Sequence, residues 1–200
     1  MRFKISSRQA LFITASILFL AAIFYFLSGN SILSNQAPLT ENNTDAPKKE
    51  KINSDLPVRL KIPKINVDSA IEYVGLTDQG AMDVPSGPVD VAWFNLGPRP
   101  GESGSAVISG HYGWKNNIPA VFDNLYKLSM GDRVYVEYEK GIMTTFVVRE
   151  LKSYDQNENA VDVFTSDDGI PHLNLVTCEG VWDKIKKSYS NRLVVFTDIE

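Results

Sequence analysis

Between Asp132 and Leu151 the chain runs DRVYVEYEKGIMTTFVVREL, with apolar and polar residues alternating on both sides of Lys140-Gly141. A period of two sends successive side chains to opposite faces of a pleated strand, so this stretch predicts a hairpin with one buried face. Related patterns recur along the chain. Leu60 and Ile62 alternate with Arg59 and Lys61, and SAIEYVGL, SAVISGH, LNLVTC (Leu173 to Cys178) and RLVVFTD (Arg192 to Asp198) are further short β-rich runs. No long 3.6-residue periodicity follows residue 57, and only Ile118 to Leu125 predicts a short helix. Turn signals such as VPSGP, LGPRPGESG and SMGD separate the runs. One mainly all-β domain over 57–200 is expected, a barrel or sandwich rather than a parallel sheet with crossover helices.

The other strong pattern is at the opposite end of the chain. After MRFKISSR, with Arg2, Lys4 and Arg8, residues 10–27 (ALFITASILFLAAIFYFL) carry no charge. As a helix they span roughly 27 Å, enough to cross a bilayer. The next Lys is Lys48, so the positive-inside rule keeps residues 1–9 cytoplasmic and places the rest outside, as a single-pass membrane protein. An uncleaved anchor is favoured over a signal peptide, because the apolar run is long and no small-x-small site follows it closely. Residues 28–56 are polar, poor in apolar side chains and read as a tether. Treated as flexible coil, that tether gives an end-to-end distance of roughly 30 Å.

The net charge of -4, with 20 scattered Lys and Arg, offers no basic stripe, and nucleic acid is not expected as a partner. A single cysteine, Cys178, excludes an internal disulfide and a multi-thiolate metal site. It leaves an inert buried thiol, an intermolecular bridge or a reactive nucleophile, and a nucleophile needs an acid-base partner and an oxyanion stabiliser. Of the two histidines, His172 lies six residues before Cys178 on one predicted strand, about 20 Å away and out of reach. His111 closes SAVISGH, where a strand passes into a loop and displays its side chain at a rim. Arg192 opens the last predicted strand, fourteen residues after the cysteine, and offers a permanently charged fork of donors.

LVTC at Leu175 to Cys178, then NRLVVFTD, with SGH at Ser109 to His111 upstream, resemble the signature of the sortases, membrane-anchored cysteine transpeptidases of bacterial surfaces. The likeness runs from about Val58 to Glu200. WFNLGPRPGESGSAVISGH, AVFDNLYKLSMGDRVYV and TCEG with Tyr189 look most like the class F branch. The resemblance implies an eight-stranded β-barrel with short helices, with Cys178 as nucleophile, His111 as general acid/base and Arg192 stabilising oxyanion or substrate. It further implies cleavage of a C-terminal LPxTG-like sorting signal through a thioacyl-enzyme. An amine nucleophile from a peptidoglycan precursor or a pilin would then resolve the intermediate. Trp93, Trp114 and Trp182 are candidates to line a groove for the signal's Leu and Pro, or belong to the core. Thr177 either touches the substrate or fills a strand position. No cofactor is expected. Some sortases hold calcium with carboxylates in the region of Asp155, Glu158, Asp162, Asp167 and Asp168, though surface-loop carboxylates are ordinarily just solvated.

With unshifted pKa values, only about one per cent of molecules at pH 7.5 would hold thiolate and imidazolium together. Either the pair is coupled and shifted or a small active fraction suffices. Two rival functions remain open. An L,D-transpeptidase-like enzyme would resemble Ser-His-Gly-Cys-x-Arg around its nucleophile, whereas this chain has VTCEGVW. A catalytically inactive, tethered peptide-binding module would keep Cys178 unreactive.

Overall fold

A computed structural model describes residues 55–200. Within them the strands are β1 (Pro57–Ile62), β2 (Val67–Val74), β3 (Val91–Phe94), β4 (Gly104–Gly110), β5 (Arg133–Tyr138), β6 (Met143–Asp155), β7 (Pro171–Asp183) and β8 (Ser188–Ile199). One four-residue α-helix, α1 (Val161–Phe164), precedes β7. The strands close into a barrel in the order β1-β2-β3-β4-β7-β8-β6-β5, with β5 pairing back onto β1.

The alternation at Asp132 to Leu151 becomes the β5–β6 hairpin, whose Val134, Val136, Phe146 and Val148 point into the barrel core. Most neighbouring pairs are antiparallel, but β2–β3 and β4–β7 run parallel. All seven residues of β4 are buried. Ala106 and Ile108 join the barrel interior, while Val107 joins a second cluster with Tyr154, Val163, Val194 and Phe196. Helix α1 helps cover that second cluster: Val163 belongs to it, and the Val163 carbonyl accepts a 2.7 Å bond from Asn174 Nδ2 on β7. The β4–β7–β8 wall is therefore packed on both faces, each fully buried Val or Leu contributing about 1.5–3 kcal/mol.

The helix expected over Ile118 to Leu125 does not form. Ile118 to Ala120 have no regular structure, 121–124 make a turn, and a 3-10 turn follows at Leu125–Lys127. Pro119 lacks an N–H, and the Asp123 carboxylate accepts the N–H groups of Gly113 (2.7 Å) and Ala120 (3.0 Å). Phe122 N–H donates to His111 O at 3.1 Å. The segment is thus drawn into a compact loop around His111.

The expected anchor at 10–27, and the tether up to residue 54, lie outside the described residues. Asp55 and Leu56, assigned to the tether by composition, join the domain: Asp55 is buried and paired with Lys140 at 2.6 Å, and Leu56 packs on the core. Among the described residues no helix is long and apolar enough to cross a membrane.

Candidate active site

In β7, Leu173 and Leu175 face the barrel interior, so pleating turns Cys178 to the outer side with Val176. Across the antiparallel ladder Cys178 pairs directly with Arg192 of β8, and opposed residues share a face. On the other flank, β4 and β7 are parallel with Ser109 level with Val176. Continuing that register two residues sets His111 level with Cys178, about 4.8 Å away between strand axes. The 2.8 Å bond from Thr177 Oγ1 to Gly110 O keeps the chains side by side just before His111. Cys178 on β7, Arg192 on β8 and His111, the residue directly after β4, are thus brought together by three adjacent strands.

Gly110 is needed for this arrangement, because a Cβ there would lie 2.5 Å from Phe122 Cδ2. Phe122 fills the space and its backbone holds His111. The histidine's Nε2 lies 2.8 Å from Pro85 O, and its ring packs on Trp114 with centroids 4.6 Å apart. With Nε2–H committed to that carbonyl, Nδ1 is the nitrogen left for proton exchange. Burial pushes the Cys178 thiol above its ordinary pKa, and the Arg192 guanidinium partly opposes this. The resting site therefore favours the neutral thiol. Arg192 donates from Nη1 to Asn191 O (2.8 Å) and Tyr189 O (3.1 Å) and lies 3.4 Å from Ser188 Oγ. These bonds engage at most three of its five N–H donors.

Beyond Cys178 a bulge interrupts the ladder, with register shifting between Glu179 and Trp182. Gly180 sits there at φ 86°, and a Cβ on it would meet Ser190 Oγ at 2.3 Å. The extra residue re-aims the hairpin tip, and Trp182 faces Tyr189 across it with centroids 5.1 Å apart.

Hollows lie on more than one side of the site. One, of about 600 Å³, runs along the outer wall over Val176, Val194, Ser109 and Arg192, with Met82 and the edge-to-face pair Phe94 and Phe164 also lining it. Ser109 is 8% exposed and its hydroxyl has no hydrogen-bond partner. The second, of about 970 Å³, opens on Cys178 and His111 and is walled by Tyr112, Trp114, Trp182 and Tyr189.

Of the residues singled out from sequence, Trp114 and Trp182 line the second hollow beside Cys178. Trp93 is 4% exposed in the core cluster, its indole N–H donating to Pro98 O at 3.0 Å. Thr177 is buried and spends its hydroxyl on Gly110, a positioning bond. His172 shares β7 with Cys178 but is buried far from it. Its Nδ1 lies 2.8 Å from Asp198 Oδ1 and its Nε2 2.9 Å from Asp168 Oδ2. Of the acidic set near α1, Asp162 is held by Tyr154 and Lys152, and Asp168 by Ser166, Ile170 and His172. Among the described residues no three His, Cys, Asp or Glu side chains converge to hold a metal. Gly110, Phe122 and Asp123 escaped notice in the sequence. Their one signal there is a glycine ending a strand immediately before the histidine.

The family model described as the sortase domain matches residues 60–200. Among solved structures, Streptococcus agalactiae sortase C1 in complex with MTSET is 26% identical with a TM-score of 0.54, the match covering 72% of this chain and 66% of that one. A lid mutant of sortase A from Corynebacterium diphtheriae aligns at TM-score 0.58 and 19% identity, covering 76% and 74%. Sortase C-1 from Actinomyces oris aligns at 0.53 and 24%, covering 75% and 76%. No curated protein matches the chain. The family match over the whole barrel, on a fold that sets a lone cysteine between a histidine and an arginine, establishes that the chain belongs to the sortase family.

Proposed function

We propose that this chain is a membrane-anchored cysteine transpeptidase acting outside a bacterial membrane on proteins that end in an LPxTG-like sorting signal. The observation that carries the reading is the meeting of three side chains: Cys178 lies opposite Arg192 on β8 and shares a hollow with His111, and an apolar groove runs from Arg192 over Val176 and Val194. A closed barrel leaves no free strand edge for β-augmentation. The signal must therefore lie on side chains, and the apolar floor and walls suit its Leu and Pro. Its phrases resemble class F most among the sortase branches.

In the first half-reaction the Cys178 thiolate attacks the Thr carbonyl carbon, and Arg192 N–H donors stabilise the oxyanion. The Thr–Gly C–N bond breaks, protonated His111 gives its proton to the leaving amine, and a thioester remains. In the second, a neutral primary amine attacks the thioester carbon. His111 takes the amine proton, the C–S bond breaks, and the thiolate is regenerated with a new amide formed. Because burial favours the thiol, the reactive ion pair is a minority state, and rate tracks its population.

The test incubates the full-length protein in detergent with a library of pentapeptide signals and an amine, and identifies products by mass. Cleavage after Thr with amide formation to the amine is expected. No cleavage of any member, with Cys178 inert to a peptide-shaped electrophile, would make the chain a binding module.

A further inference from the structure

Beyond Glu179 and Asn191, strands β7 and β8 pair only with each other and join through a turn at residues 184–187. The segment VWDKIKK, Val181 to Lys187, leaves its apolar side chains in water: Ile185 is 94% exposed, Val181 75% and Trp182 46%. Single apolar residues on a surface are ordinary, but three within five positions form a patch.

Charge surrounds this patch. Lys184, Lys186 and Lys187 are all exposed, and among the described residues none of them forms a salt bridge. Asp183 is the one acid of the segment, and its Oδ1 accepts the N–H groups of Ile185 at 2.8 Å and Lys186 at 3.0 Å, closing the turn. Three lysines against one aspartate give the tip a formal charge of +2 in a chain whose net charge is -4. An indole, aliphatic side chains and lysines together suit the headgroup level of a bilayer. Indole rings favour that zone, and lysine stems lie along apolar neighbours while their ammonium groups reach lipid phosphates.

A second tip supplies the contrast. The start of β6 pairs with the end of β8, so the β5–β6 turn lies at the other end of the barrel, and it too exposes Ile142 and Met143. Its Lys140 is paired with Asp55 at 2.6 Å and follows the exposed Glu139, so no net positive charge surrounds it. Of the two tips, β7–β8 alone combines apolar exposure with unpaired cations.

We propose that the β7–β8 tip is a membrane-docking element, seating Val181, Trp182 and Ile185 among the headgroups of an anionic bilayer with Lys184, Lys186 and Lys187 on the lipid phosphates. The proposal uses the anchored reading only to bring a bilayer within reach, and no step of transpeptidation enters it. Trp182 is four residues from Cys178, at most about 13 Å of strand. A docked tip therefore holds the nucleophile at the membrane surface, where it reaches substrate chains close to the bilayer and loses those farther out.

The full-length protein is labelled with 5-fluorotryptophan and incorporated into nanodiscs of phosphatidylcholine, alone or mixed equally with phosphatidylglycerol. Each disc carries a trace of lipid spin-labelled at the headgroup, and Trp182→Phe and Trp114→Phe assign the resonances. In the anionic discs the Trp182 signal is expected to broaden while that of core Trp93 stays sharp. Replacing Lys184, Lys186 and Lys187 together by Gln should lower the ratio of docked to free tip on the order of 10²-fold, about fivefold for each lysine. Ile185→Ser should lower it about tenfold. Equal broadening of Trp182 and Trp93, equal broadening in the two lipid mixtures, or a triple lysine variant that behaves as wild type overturns the proposal. Soluble glycerol phosphate that moves the Trp182 signal as the discs do also overturns it, since the tip would then be a phosphate site with no use for its apolar residues. A chain that does not stay with phosphatidylcholine discs ends the anchored reading alone. The same labelled protein mixed with phosphatidylglycerol vesicles then decides the docking, and a Trp182 signal left sharp there overturns it.

Discussion

The two ends of strand β7 each hold a polar centre that includes a histidine, and they put it to different use. At the Cys178 end, His111 directly follows the neighbouring strand β4 and faces an open basin that Cys178 also lines, while the Arg192 guanidinium comes from β8 on the cysteine's other flank. At the Pro171 end, His172 is 7% exposed and clasped by Asp168 and Asp198. Asp198 also pairs with Arg149 at 3.1 Å. A buried imidazole with a carboxylate at each nitrogen is spent on cohesion, since both ring nitrogens are held by acceptors. A rim imidazole with one nitrogen on a carbonyl keeps the other for proton traffic. Residue type does not separate these roles; the partners do.

The largest effect should come from removing the thiol. Cys178→Ala is expected to lower kcat by at least about 10⁴-fold, with little change in melting temperature because the side chain is small. Residual turnover within tenfold of wild type, measured with a sorting-signal peptide, would remove Cys178 as the nucleophile.

The two histidine variants test the contrast directly. His111→Ala should cost on the order of 10² to 10⁴-fold in kcat, the usual scale for a positioned acid-base group. His172→Ala should leave kcat within about threefold. It should instead lose about 2–3 kcal/mol of stability, since it strips two carboxylates of a buried partner, seen as a melting point lower by about 4–12 °C. Equal kinetic losses in the two variants would erase the distinction between the ends of β7.

Arg192 should matter next. Arg192→Ala is expected to lower kcat by about 10² to 10³-fold, and Arg192→Lys to recover little of it, because the planar fork is lost while the charge stays. The guanidinium opposes the burial that raises the thiol. The alanine variant should therefore shift the pH midpoint of Cys178 alkylation further towards alkaline values. A raised KM with normal kcat would make Arg192 a docking residue only.

The smallest effect belongs to the far end. Backbone and side-chain hydrogen bonds from Ile170, Ser166 and His172 hold the Asp168 carboxyl at about 2, below its ordinary value. A depressed carboxyl stabilises the fold fully above its unfolded pKa, near 4, and loses that contribution as pH falls towards 2. Wild type should therefore lose melting temperature more steeply between pH 5 and pH 2 than Asp168→Asn does. Parallel curves for the two proteins would detach Asp168 from acid stability.

Much of this contrast is legible in the chain. Strand periodicity puts Cys178 and His172 on one element, and a spacing of six residues keeps them apart. The hairpin around Lys140-Gly141 and the last two strands carry their own alternation. Other features have no local signal. Strand β3 is four residues long and surrounded by turn residues, so its apolar run is too short to declare a period. Helix α1 is a single turn that forms on the outer wall, a tertiary event. The parallel pairing of β4 with β7 links residues far apart in sequence and follows from barrel closure, which no window of neighbours encodes. Trp93 and Trp114 have the same composition-level appeal, and only packing separates a core indole from a rim one.

The 2.8 Å bond from Thr177 to Gly110 joins residues 67 positions apart, and biosynthesis runs along that interval in one direction. Closing a loop of that length costs about 4 kcal/mol of chain entropy, so the two sides of the site stay apart until the strands between them are laid down. A ribosome adds His111 early and the only thiol late. A nascent chain that has not yet reached Cys178 lacks this nucleophile. The nucleophile arrives after the sequence for β1 to β6 is already made, so a reactive cysteine spends little of the molecule's life without the wall that governs it.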